Sequence, residues 1–127
     1  MGPETKLYKK LRKFSKEISW IRIENLSSMG TPDLLGYNTF GTFFTVELKV
    51  TKGNKVRFSP HQIAFHKTHS KNTFILVEAL GQRSSKLSQF FLIPGSRISE
   101  LVACGLSKLD ACSLTLDACC LKFQNLN

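Results

Sequence analysis

Acidic residues are scarce in this chain of 127 residues: 9 Asp and Glu stand against 18 Lys and Arg, a formal net charge of +9 and a pI near 9.7. Long apolar runs are missing too, which argues against a membrane-spanning helix. No apolar stretch follows Met1-Gly2-Pro3, so a secretory signal is not expected, and Lys6 stands where a myristoylation signal would need Ser or Thr. The cysteines Cys104, Cys112, Cys119 and Cys120 form no Cys-x-x-Cys pair and have no His nearby. A zinc site needs closer ligand pairs, and without a signal disulfides are not expected. They read as small buried apolar residues. Neither repeat nor low-complexity tract occurs. With 42% apolar and 21% charged residues, the composition is that of a folded chain rather than a disordered one. The expectation is one domain over 1–127, held by a single core, in the cytoplasm.

The shortage of acid is local. Residues 1–71 hold 13 basic and 5 acidic residues; residues 72–127 hold 5 and 4. Between Glu47 and Glu78 there is no acid, while Lys49, Lys52, Lys55, Arg57, Lys67 and Lys71 lie there. A one-sided positive field suits a polyanion, most often nucleic acid. The plainer alternative is a solvated basic surface.

Periodicity predicts a helix over 3–17, with Leu7, Leu11, Phe14 and Ile18 as its apolar stripe. Residues 19–26 look extended and 27–30 form a turn cluster. A short apolar run over 32–37 and an alternating strand over 43–51 are joined by 38–42, a hairpin length. A basic loop fills 52–58. Ser59-Pro60-His61-Gln62 starts a helix running to about Ser70: Ser59 caps, Pro60 fits the first turn and Gln62 completes a capping box. Strands over 73–80 and 89–93 flank a polar loop, 81–88. A helix over 96–104 stopped by Gly105 and a last one over 115–124 complete the chain. The order predicts an α/β fold, a mixed sheet flanked by helices.

Asp33, Glu47 and Lys49 carry the chemistry in this pattern. Glu47 and Lys49 are two apart on a strand and share a face. Asp33 lies on the neighbouring run and comes alongside them through the hairpin. Converging carboxylates repel unless a cation sits between them, and hard oxygen ligands select Mg²⁺ or Mn²⁺. The Leu48 carbonyl is a third candidate ligand, and Lys49 is placed to orient a water or to neutralise charge building on a phosphate. The structural alternative for Glu47-x-Lys49 is an exposed ion pair.

Pro32-Asp33 followed by Glu47-Leu48-Lys49 resembles the motif of the PD-(D/E)xK nuclease superfamily. The longer pattern, from Gly30-Thr31-Pro32-Asp33-Leu34-Leu35-Gly36 through Val46-Glu47-Leu48-Lys49 to Ser59-Pro60-His61-Gln62, resembles its stand-alone VRR-NUC branch of bacteria and phages. The resemblance spans about residues 28–80 and implies a restriction-endonuclease-like mixed sheet. It implies that Asp33, Glu47 and the Leu48 carbonyl hold the metal, that Lys49 positions the attacking water, and that Gln62 assists. Gln62 also has a purely capping alternative. Glu4 matches an acid on the first helix that joins metal binding in many relatives; alternatively it only favours the helix N-terminus. Lys52, Lys55 and Arg57, with Lys6, Lys9, Lys10 and Lys13, would hold phosphates. His61, His66 and His69 crowd one helix beside them; the reading is an exposed face near phosphate, with a metal pair at His66 and His69 as the alternative. Phe40, Phe43 and Phe44 at the hairpin tip read as core, base-stacking or dimer contacts.

The expected activity is that of a Mg²⁺-dependent DNA endonuclease, with Mn²⁺ substituting. A chain this small has little room for a separate base-reading module, so structure-specific cutting is expected. Relatives of this size form homodimers, and a two-fold dimer sets two sites across a four-way junction. Holliday-junction resolution leads; flap cutting or nicking, or a non-catalytic nucleic-acid-binding module, are the alternatives.

Overall fold

The computed structural model describes residues 2–23, 30–80, 88–107 and 115–127. Residues 27–29 of the predicted turn cluster over 27–30, residues 81–87 of the predicted loop over 81–88, Leu26 and Cys112 lie outside the described residues.

Helix α1 spans Pro3–Phe14, with Pro3 in its first turn beside Glu4, and Arg12 and Lys13 in its last. These charges oppose the partial charges of the helix ends. The helix stops short of the predicted residue 17 because Ser15 is buried: its hydroxyl donates back to the Leu11 carbonyl at 2.5 Å and accepts the Trp20 indole N–H at 2.8 Å. This fixes the turn into the sheet. Phe14 therefore falls off the predicted stripe and is exposed, and Ile18 enters the core after the turn.

Five strands follow in chain order: β1 Ser19–Arg22, β2 Leu34–Tyr37, β3 Phe43–Thr51, β4 Thr73–Ala79 and β5 Gln89–Pro94. They lie side by side in that same order. Every pair is antiparallel except β3 with β4. That parallel step needs a crossover, which α2, Pro60–Thr68, supplies. A 3₁₀ turn over Gly95–Arg97 leads into α3, Ile98–Cys104, closed by Gly105 at φ 75°. Helix α4, Leu116–Gln124, is capped by Thr115. The architecture is the predicted α/β one, a mixed five-stranded sheet flanked by helices.

The apolar residues divide between two faces instead of forming the expected single core. Leu34, Phe44, Val46, Leu48 and Leu76 pack with Leu7 and Leu11 of α1 and Leu116, Cys119, Cys120 and Phe123 of α4. Ile75, Val77, Phe91 and Ile93 pack on the other face with Ile98, Leu101 and Leu106. The hairpin between β2 and β3 is pinned by Asn38, whose Nδ2 donates to the carbonyls of Phe123 and Leu126, each at 2.9 Å. Of the hairpin phenylalanines only Phe44 is core; Phe40 and Phe43 are 65% and 57% exposed. Cys104 departs from the expected burial: it closes α3 on the solvent side, whereas Cys119 and Cys120 are buried. Among the described residues no helix is long and apolar enough to cross a membrane.

Candidate active site

Strand register brings the two acids together. In the β2–β3 ladder Leu34 lies opposite Val46 and Leu35 opposite Thr45. One further step sets Asp33 opposite Glu47. Directly paired residues share a face, and Leu34 and Val46 belong to the core under α1 and α4. Asp33 and Glu47 therefore share the opposite face with Lys49. Asp33 is anchored there: its Oδ2 accepts the Leu48 N–H at 2.8 Å, and its carbonyl accepts the Ile23 N–H at 2.8 Å.

Gly30, three residues earlier, explains how this segment meets α2. It has φ 77°, and a Cβ there would overlap the His61 carbonyl and approach the Gln62 nitrogen to 2.7 Å. Only glycine combines that backbone angle with so close an approach. The Gly30–Asp33 segment is thus laid directly against the first turn of α2.

The capping box forms as predicted. The Gln62 N–H donates to Ser59 Oγ at 3.2 Å, and the Ser59 N–H donates to Gln62 Oε1 at 3.0 Å. The same amide reaches into the site. Gln62 Oε1 also accepts from Lys49 Nζ at 3.1 Å, and its Nε2 donates to Glu47 Oε2 at 3.2 Å. Two donors on one side and an acid on the other fix the amide's orientation. One amide thus caps α2 and bridges Lys49 and Glu47. Lys49 Nζ also lies 4.8 Å from the ring centre of Phe58, a cation–π contact.

Glu47 is 3% exposed. Burial first, then the neighbouring Asp33 carboxylate, push its carboxyl up to about 9, against the pull of Lys49. Its Oε1 is buried with no hydrogen-bond partner. An orphaned carboxylate oxygen beside a second carboxylate is what a hard divalent cation relieves, so the donor set fits Mg²⁺ or Mn²⁺. Among the described residues no three His, Cys, Asp or Glu side chains converge on one point. Glu4 is nevertheless near enough for its charge to add to those that raise Glu47. It lies at the exposed start of α1 and shares an open cleft of about 360 Å³ with Lys49, Lys52, Lys55 and Arg57.

Other sequence-predicted residues lie outside this cleft. Lys6, Lys9 and Lys13 are exposed on α1, and Lys9, Lys10, Arg12, Lys13 and Lys16 line a shallow depression. Lys10 is committed to an ion pair with the buried Glu78 at 2.7 Å. His61 is exposed beside Gln62, and His69 is exposed four residues before Thr73. His66 is not on the exposed face expected for it. It is fully buried against Gly95, its Nδ1 lies 2.9 Å from the Gln62 carbonyl, and burial pushes its pKa down. Phe58 and the packing role of Gly30 were not foreseen. A phenylalanine directly before the Ser59-Pro60 helix start was the available signal for the first, and the glycine opening the Asp33 segment for the second.

No family model matches the chain, and no curated protein matches it. Among solved structures, the chain is similar to an Archaeoglobus fulgidus Hjc, a Holliday junction resolvase from an archaeal hyperthermophile. Identity is 18%, 72% of each chain is covered, and the TM-score is 0.49.

Proposed function

We propose that this chain is a single PD-(D/E)xK-type nuclease domain over residues 1–127, a metal-dependent endodeoxyribonuclease acting on branched DNA. One observation carries the reading: Gln62 ties Glu47 and Lys49 together at the point where the register brings Asp33. A buried acid beside a second carboxylate costs stability, and a purely structural role leaves that cost unexplained.

Asp33, Glu47 and the Leu48 carbonyl would hold a Mg²⁺ or Mn²⁺ ion, which supplies Lewis-acid stabilisation of charge on the phosphate. Lys49 orients the attacking water and opposes the developing negative charge. The ring of Phe58 and the oxygen of Gln62 keep its ammonium aimed at the acids. Gln62 also steadies Glu47 through Nε2. Water adds to phosphorus and the bond to the 3′ oxygen breaks, leaving a 5′-phosphate and a 3′-hydroxyl. Lys52, Lys55 and Arg57 hold flanking phosphates at the cleft, and Lys6, Lys9, Lys13 and His61 extend that surface. Glu4 faces the same cleft, where it would reach the ion through water. A four-way junction is the leading substrate, cut by a homodimer.

The test is a cleavage assay on labelled junction, flap, nicked and linear DNA with Mg²⁺ or Mn²⁺, run beside Asp33→Ala and Lys49→Ala. Paired symmetric nicks on the junction, lost in both variants, support the resolvase reading. Cutting of flaps or linear DNA keeps the nuclease and replaces its substrate. Tight binding without product under either metal overturns the enzyme and leaves a nucleic-acid-binding module.

A further inference from the structure

The sheet is covered unequally. On the face bearing Asp33 and Glu47, the apolar packing of α2 and α3 is against β4 and β5; among the described residues none from β1 or β2 joins it. Alternation predicts polar side chains on such an open face. Instead it carries Ile21, Leu35, Tyr37 and Phe43, which the register places on that face. Ile21 is 55% and Tyr37 41% exposed, and the Tyr37 and Phe43 rings lie 4.5 Å apart. Phe40, in the turn that joins the two strands, is 65% exposed. Isolated exposed apolar residues need no explanation, but a contiguous patch beside a polar site marks a binding surface.

We propose that Tyr37, Phe40 and Phe43 form a stacking platform for unpaired bases, so that the substrate holds bases outside regular duplex close to the cut. The proposal rests on the nuclease reading above and specifies its substrate class. Charge complementarity selects this occupant. Bases arrive attached to phosphates that the chain's +9 field attracts. Exposed Lys71 adds a cation at the rim, beside Asn72, whose Nδ2 donates to the Phe43 carbonyl at 3.3 Å. Phe43 stands four residues before Glu47 on one strand, about 13 Å away. That is about four base steps of stacked DNA. Aromatic rings accept any base because every base has a π-face.

The test uses the full chain in an Asp33→Asn background, so that binding is read without cutting. The DNAs are a junction and a flap with 2-aminopurine at the branch, and a plain duplex of the same sequence. A double Phe40→Ser, Phe43→Ser variant keeps the core, because both rings are exposed. Expected are an about tenfold loss of affinity for the branched DNAs, an unchanged affinity for duplex, and loss of the fluorescence quenching seen with the parent. Equal losses on duplex and branched DNA, or no loss, overturn the platform. Sedimentation showing a dimer that the double variant breaks, with quenching intact, overturns it in favour of an interface between copies. Failure of the nuclease reading is separate: it appears as absence of product from the wild type, whatever the quenching does.

Discussion

Replacing Glu47 with Gln removes a buried titrating group while keeping the shape that Gln62 bonds. The carboxyl's folded value, about 9, lies above its ordinary 4.5, so between these pH values the folded state binds the extra proton. Stability of the metal-free protein is therefore full below about pH 4.5 and falls as pH rises towards 9. The Gln variant lacks this slope. In EDTA at pH 7.5, about three pH units above 4.5, it is expected to be up to about 4 kcal/mol more stable than the parent, and with Mg²⁺ it loses all cleavage. Urea unfolding from pH 4.5 to 9 measures the slope; equal slopes would show that Glu47 does not titrate above its ordinary range. The residue scale is also where sequence reasoning was most and least effective. Asp33, Glu47 and Lys49 were legible because strand alternation and hairpin length suffice to bring them together. Phe58 was not, because its contact with Lys49 depends on the path of the loop over 52–58. His66 was not, because its burial is decided by Gly95, 29 residues along the chain.

Among the elements, the first turn of α2 links both halves of the site. Gly30 packs on it from one side and Lys49 from the other. Gly30→Ala forces a methyl group into the His61 carbonyl and a left-handed backbone on a residue with a Cβ, a cost of about 2 kcal/mol. Unfolding should show that loss, and kcat should fall with it as the Gln62 amide shifts. Gly53→Ala is the matched control: a Cβ there meets nothing within 4 Å, and both quantities should stay unchanged. The capping box was readable because Ser, Pro and Gln occur at fixed offsets. The early end of α1 was not, since a buried hydroxyl bonded to Trp20 overrode an apolar period that continued past it. Period likewise gave the two faces of β2 and β3 without telling which would be covered, so the exposure of Phe40 and Phe43 emerged only from the packing of α2 and α3.

Taken as a whole molecule, the basic surplus predicts binding that weakens steeply with salt. A Lys52→Ala, Lys55→Ala, Arg57→Ala variant should flatten the plot of log affinity against log salt by about 2 to 3. Lys10→Ala should leave that slope unchanged and instead lower stability, because Glu78 is left buried without its cation. Titration of junction DNA binding against salt, alongside urea unfolding, separates the two kinds of lysine. The sheet's strands lie in the order of their synthesis, β1 through β5. A ribosome delivers the acid hairpin, the lysine and the glutamine helix before it delivers β4, which closes the other edge of β3 and buries Glu47 from that side. Until about residue 79 has emerged, the nascent site is two solvated acids on an unsupported hairpin, and Glu47 ionises as an ordinary carboxyl. The acid pair is brought under strain only when translation has passed it, so the last strands to be synthesised arm a site whose chemistry is already written.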